Sequence, residues 1–275
     1  MKDDITLRKA LAEQEKLKGQ LSEIRNSFSF RLGNMLVQAV YSPGRNTVLL
    51  PYRLIRLFVR GFRKRRASII KVGKYTGVSL SDVKLNACTT EVKERYMERF
   101  GEGNSRHGWF REDLWRRIEY VSSLLPEAKI ILDIGIHSGA FLNLLIATNR
   151  FQRILGIDII QHPNFTMLSD SKLYEIMYAS VAELPFADKS IDIITCMEVL
   201  EHLDGESFLA ALRELRRVVN HLLIITVPYN EPEPLYRGHK RKFTDSDLSA
   251  YFPSGEFILL KKSTRPDWMV IVERT

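Results

Sequence analysis

From Lys129 to the C-terminus, short β-branched apolar runs alternate with stretches of helical periodicity. The runs are KIILDI, RILGIDI, LYEIMYAS, SIDIITCM, LLIITVPY, EFILLKK and WMVIVER. Between them lie GAFLNLLIATN, FLAALRELRRVV and a shorter helical pattern near SDLSAYF. Strands that alternate with helices form a mostly parallel sheet covered on both faces. Only STRPD separates the last two runs. That is too short for a helical crossover, so this pair must run antiparallel. The expectation is an α/β fold: a doubly wound, seven-stranded, mostly parallel sheet with an antiparallel last strand.

Upstream, "TTEVKERYMERFG" (89–101) reads as a helix with a threonine N-cap and a terminal glycine. "REDLWRRIEYVSSLL" (111–125) reads as another, with Leu114, Ile118, Val121 and Leu125 on one face. The chain therefore divides into a helical, basic extension (1–66), a linker with cap helices (67–110) and a main domain (111–275). Charge follows that division. The chain carries a net +8, yet residues 1–66 hold 15 Lys+Arg against 5 Asp+Glu, and the rest hold 26 against 28. The basic pI thus says nothing about chemistry in the main domain.

In the extension, Leu7, Ala10, Gln14, Leu17, Leu21, Ile24 and Phe28 recur three and four apart. This is a short seam that suits a homodimeric coiled coil or a helix packed on its own domain. After the break at Pro43-Gly44, Arg53, Arg56, Arg60 and Arg63 form a stripe opposite Leu54, Ile55, Phe58 and Phe62. Residues 51–66 match a helix lying on an anionic membrane surface, or a solvated basic face over a packed apolar one. No aromatic platform or binding motif points to nucleic acid. No apolar run is long enough to span a bilayer, and the N-terminus is too polar for a secretory signal. Cys88 and Cys196 are far apart and have no metal-ligand spacing. A reducing, cytoplasmic setting is expected, peripheral on the inner membrane face if the arginine stripe binds lipid, and no metal site is expected.

In an open parallel sheet, ligands bind at the carboxyl ends of the strands where strand order reverses. The turn after the first main-domain strand reads Asp133-Ile134-Gly135-Ile136-His137-Ser138-Gly139. Gly135 allows a sharp exit, and Gly139 lets a helix start beside a ligand, offering its N-terminal amides to negative charge. His137 stands where a glycine is commonest, and histidine is among the residues that tolerate positive φ. Asp158 ends the next strand and can accept both hydroxyl protons of a ribose. Turn and acid fit a dinucleotide or an S-adenosylmethionine site equally.

"SVAELPFADKSIDIITCMEVLEHL" (180–203) breaks the tie. Leu184-Pro185-Phe186, Asp188, Ser190, Asp192 and Glu198-Val199-Leu200-Glu201-His202 resemble the core of class I S-adenosylmethionine-dependent methyltransferases, near the small-molecule and glycan group. "GHKRKFTDSDL" resembles a late element of the same group. The resemblance implies S-adenosyl-L-methionine as cofactor, a Rossmann-like domain, and the following roles. Asp133, Gly135, His137 and Gly139 shape the methionine pocket and Asp158 holds the ribose. Ser180 and Val181 border the adenine, Ser180 standing where relatives often carry an aspartate. The backbone of Cys196, Met197 and Glu198 lies beneath the sulfonium. Catalysis is mostly positioning, aided by a general base. His239 and His202 are the candidates, with Tyr229 and Asn230 lining the acceptor pocket. "LSEIRNSFSFRLGNMLVQAVYSPGR" resembles a segment beside enzymes of bacterial surface-polysaccharide assembly. Together these imply O-methylation of a glycan or lipid-linked saccharide. A small molecule or isoprenoid quinone as acceptor, or a non-catalytic membrane scaffold of degenerate fold, are the alternatives.

Overall fold

The alternating pattern resolves into one mixed sheet. The computed structural model describes residues 69–72 (backbone), 75–101, 111–263 and 266–275. The expected N-terminal seam, arginine stripe and polysaccharide-enzyme segment lie outside the described residues. The first described elements are two strands, β1 (Ile69–Val72) and β2 (Tyr75–Ser79), followed by helices α1 (Ala87–Phe100) and α2 (Glu112–Leu124). Next are β3 (Ala128–Ile134), α3 (Ala140–Thr148), β4 (Phe151–Asp158), β5 (Tyr174–Tyr178) and β6 (Ile191–Met197). The chain ends with α4 (Gly205–Val218), β7 (Val219–Tyr229), α5 (Asp245–Tyr251), β8 (Glu256–Lys261) and β9 (Asp267–Arg274).

Among the described residues the sheet has nine strands, in the order β1-β2-β8-β9-β7-β6-β3-β4-β5, which corrects the expected seven. The two extra strands come from 69–79, read as linker because they stand apart from the later alternation of strands and helices. β1 and β2 pair antiparallel, and β2 adds parallel to β8 at the sheet edge. β3, β4, β5, β6 and β7 are mutually parallel. β9 runs antiparallel to both β7 and β8, as the five-residue connection required. β3 lies between β4 and β6. Successive crossovers leave it in opposite directions, so a crevice opens at its carboxyl end.

Each face carries a core. Phe208, Leu212 and Leu215 of α4 pack with Phe243, Leu248 and Phe252 on one side. Tyr96 of α1, Trp115 and Ile118 of α2, and Leu142 and Leu145 of α3 pack on the other. Burial on both faces explains why β6 and β7 read as nearly continuous apolar runs. The cap of α1 is Asn86, not a threonine: its side chain accepts from the Thr89 amide at 2.8 Å. Glu119 of α2 then takes the Thr89 hydroxyl at 2.5 Å and the Asn86 amide group at 3.1 Å. On α2 the buried face is centred on Trp115, Ile118 and Val121, with Leu114 half-buried.

Much of the 180–203 motif is architectural. The Leu184 amide donates to Glu214 of α4 at 2.8 Å. Arg217 donates to the carbonyls of Phe186 and Leu184 and to Asp188. Asp192 accepts the Lys129 and Ile130 amides at 3.1 and 3.0 Å, which sets where β3 begins.

A buried polar cluster holds the turn after β3. The Tyr96 hydroxyl donates to the Ser138 carbonyl at 2.9 Å, with the Thr166 carbonyl at 3.1 Å. The Asn143 amide reaches that hydroxyl, Gly139 O and Thr166 O at 2.8–2.9 Å. Buried carbonyls that lose a donor are costly. Tyr96→Phe should therefore lower stability by about 1–2 kcal/mol in urea titrations. A midpoint equal to wild type would show that this cluster does not hold the turn.

Candidate active site

The turn after β3 requires left-handed backbone at three residues. Gly135, His137 and Gly139 have φ of +82°, +46° and +86°. His137 takes the glycine-like conformation expected of it, its ring against that of His162, tilted by 37° with centroids 3.7 Å apart. The two glycines make room for protein. A Cβ on Gly135 would meet a Val199 methyl at 2.4 Å, and one on Gly139 would meet the Thr166 carbonyl at 2.9 Å. Gly139, expected to clear space for a ligand, thus admits the Phe165–Thr166 segment. Gly135 lets the exit from β6 close over the turn.

Asp158 joins this turn to β4. One carboxylate oxygen accepts the His137 amide at 2.9 Å and the other the Ile159 amide at 2.8 Å. A carboxylate offers about four lone-pair positions, so two stay open for hydroxyl donors. Beside it, Ile159 and Ile160 are 72% and 64% exposed, and Tyr178, paired across from Asp158, is also exposed. Sequence reasoning did not identify this apolar edge, because β-strand residues were expected to be covered. Ser180 turns the chain after β5, its hydroxyl accepting the Ala182 amide at 3.2 Å. Val181 beside it is buried. These features suit an adenosyl group: an acid for the ribose and flat apolar cover for a base.

Asp133 sits inside the sheet, 2% exposed, and accepts the Thr195 hydroxyl at 2.8 Å. Burial pushes its carboxyl up to about 7, with a further upward contribution from Asp158. Cys196 is also buried, and its thiol is pushed up by that burial. Only its backbone can face the crevice. Glu198 has φ of +57°. Its carboxylate pairs with Arg117 of α2 at 3.1 Å and accepts the Thr226 hydroxyl at 3.0 Å. Arg117 in turn lies over the Trp268 ring at 4.2 Å.

A second group assembles where the β6 and β7 exits meet. The turn Leu200–His202 follows β6, and the loop 231–241 follows β7. The Lys240 amide donates to the Glu201 carbonyl at 2.8 Å, and Arg241 lies over the Phe208 ring at 3.7 Å. This docking brings the His202 and His239 rings within 4.9 Å, edge to face. Buried Glu231 accepts from His239 Nδ1 at 2.6 Å and from the Tyr236 amide at 2.9 Å. His202 Nδ1 donates to the Gly238 carbonyl at 3.0 Å. Both imidazoles therefore leave Nε2 with a lone pair. Glu231, Glu201 and Arg117 were not anticipated as site residues. Glu231 follows the quoted VPYN run directly, but only the folded loop shows its partner.

Tyr229 and Asn230 contribute differently. The Tyr229 hydroxyl donates to Asp245 at 2.6 Å, its ring stands edge-on to Tyr75, and its pKa is pushed to about 12 by burial and Asp245. The exposed Asn230 has φ of +49° and gives its amide to the Phe243 carbonyl at 3.0 Å. Tyr229 therefore braces the rim through Asp245, at the start of α5.

Residues 132–222 match the family described as "Methyltransferase domain". The chain is 32% identical over 159 residues to a tRNA (carboxymethyluridine(34)-5-O)-methyltransferase of Arabidopsis thaliana, covering 56% of this chain and 37% of that one. It is 26% identical over 160 residues to a probable S-adenosylmethionine-dependent methyltransferase of Mycobacterium tuberculosis, covering 54% and 57%. A solved SAM-dependent methyltransferase from Archaeoglobus fulgidus is 15% identical, covering 58% of this chain and 91% of that chain, with a TM-score of 0.48. The family match bears out the expectation of a methyltransferase domain, and with it S-adenosyl-L-methionine as cofactor. The chain spans between about a third and three-fifths of the length of these two curated relatives.

The raised Asp133 pKa makes a signed prediction. The folded state holds this proton where the unfolded chain, near pKa 3.9, has lost it. The native state binds more protons between about pH 4 and 7, so stability falls as pH rises through that window. Asp133→Asn, which mimics the protonated form, should gain on wild type by roughly 2 kcal/mol between pH 5 and pH 8 in denaturant titrations. A pH-independent difference would contradict the burial argument.

Proposed function

We propose that this protein is an S-adenosylmethionine-dependent O-methyltransferase whose acceptor is a glycan or lipid-linked saccharide. The observation that carries the reading is the shared carboxyl edge of the sheet. The turn after β3 and Asp158 lie at one part of it, and the histidine pair, His239 held by Glu231 and His202 by the Gly238 carbonyl, at another. When bound, S-adenosylmethionine supplies an electrophilic methyl, whose bond to sulfur breaks as an acceptor lone pair bonds to the carbon.

The chain has three tasks in this reading. Asp158 fixes the ribose through its open lone pairs. Ile159, Ile160 and Val181 exclude water from the base. The histidine pair activates the acceptor oxygen. A lone pair on a carboxylate-held imidazole serves that task as a base or as a ligand.

Oxygen is favoured as the acceptor atom because the Arabidopsis relative is named for 5-O methylation. That name also keeps RNA among the acceptors to be tested, beside the sequence-based argument against nucleic acid. The saccharide reading rests on the N-terminal segment and its resemblance to polysaccharide-assembly enzymes. The arginine stripe at 51–66 supports work at an anionic membrane surface, on its cytoplasmic side. Among the described residues, no helix is long and apolar enough to cross a membrane.

Calorimetry with S-adenosylhomocysteine tests the cofactor half. Asp158→Ala should weaken binding by roughly 1.5–3 kcal/mol, because charge-assisted bonds to the ribose are lost. Wild type that gives no heat at millimolar ligand would favour the scaffold alternative. Methyl transfer from labelled cofactor to extracted lipid-linked glycans or to bulk RNA then separates the acceptor classes. Label only in RNA would overturn the saccharide reading.

A further inference from the structure

Two carboxylate oxygens in the interior have no partner among the described residues. Glu201 is 1% exposed, and neither Oε1 nor Oε2 meets a hydrogen-bond donor from those residues. Native structures rarely leave such groups unsatisfied, and each instance calls for an explanation. One Glu201 oxygen and one ring nitrogen from each of His202 and His239 all lie within 4.8 Å of one another. Both Nδ1 atoms are already donating, to Gly238 O and to Glu231, so the free lone pairs belong to Nε2.

We propose that Glu201, His202 and His239 bind a divalent transition-metal cation. Two imidazoles and one carboxylate form a facial donor set with open positions, which suits Mn²⁺, Fe²⁺, Co²⁺ or Zn²⁺ better than the all-oxygen cations Mg²⁺ and Ca²⁺. The surroundings match those of metal-bound histidines, which usually give their other N–H to a carboxylate or a carbonyl. Glu231 does this for His239 and Gly238 for His202. Gly238, at φ +98°, lies against the His202 ring, where a Cβ would come within 3.6 Å.

Ligands around such an ion stand about 3–4 Å apart, given bond lengths near 2.1 Å. Donor atoms within 4.8 Å of one another must draw closer to meet one ion, and the exposed His202 ring has room to move. Arg117 already balances the neighbouring Glu198. A dication would offset the remaining charge of Glu201 and Glu231. Protonation is the competing way to neutralise Glu201, whose carboxyl burial holds well above the usual range, Glu198 adding to the effect. The inference rests on the methyltransferase reading for its role, because a cation at this position would hold the acceptor oxygen. It does not rest on that reading for its ligands.

The test uses the full chain, stripped with a chelator. Mn²⁺ is titrated by calorimetry and by loss of the free-ion paramagnetic resonance signal. S-adenosylhomocysteine binding is measured on the same preparation. One saturable Mn²⁺ site per chain is expected, with Zn²⁺ binding more tightly. His202→Ala should weaken Mn²⁺ at least tenfold, and Glu231→Gln by about 10–100-fold. Glu201→Gln should abolish binding. If that variant does not fold, His202→Ala decides, because its ring is exposed and its loss spares the core. No saturable Mn²⁺ binding, or equal affinity in His202→Ala, would overturn the site. Cofactor binding without Mn²⁺ binding would overturn the metal inference alone. Failure of both would overturn the methyltransferase reading as well.

Discussion

The hydrogen bond from the His137 amide to the Asp158 carboxylate ties the turn after β3 to the end of β4. It uses an amide that helical structure cannot satisfy and a carboxylate that the sheet edge leaves open. The left-handed backbone at His137 aims that amide. The Tyr96 and Asn143 cluster holds the same turn from below, through the Ser138 and Gly139 carbonyls. The crevice at the strand reversal therefore has a fixed floor before any ligand arrives, and that preorganisation lowers the cost of binding. Asp133, buried beneath the turn, raises the stability cost at neutral pH, since burial of its charge is offset only in part by Thr195.

The other half of the site depends on a docked loop. Residues 231–241 reach back to the turn after β6 through Lys240 and Arg241, while Phe243 and the Thr244 capping box anchor the far end. Nothing in that loop is regular secondary structure. Its order comes from side-chain partners, with Glu231 closing it on itself. A motif that resembles a recurrent family element thus does architectural work at most of its positions and presents one imidazole.

The centre of the sheet was legible because β6, β7 and β9 are buried on both faces and so carry nearly unbroken apolar runs. The antiparallel end was legible because five residues cannot form a crossover. β1 and β2 were not: they are short, and they lie in the chain before the helices, outside the strand–helix alternation that marked the other strands. Asp158 and the glycine turn were legible because backbone geometry restricts which residues can stand there. Gly139 has a further role that the sequence did not reveal: its lack of a side chain admits a protein segment that approaches from twenty-odd residues downstream. Arg117, Glu201 and Glu231 were invisible as a set because they come from three separate elements. Their relation exists only after α2, the β6 exit and the β7 loop are packed together.

The central claim is that cofactor and acceptor groups share the carboxyl edge of the sheet. Hydrogen–deuterium exchange with and without S-adenosylhomocysteine tests it most directly, because protection reports which backbone a ligand covers. Slower exchange is expected in 134–140, 158–161, 179–183 and 197–202, with little change in β1, β2 and the far ends of the strands. Protection confined to other segments, or none under saturating ligand, would contradict the claim.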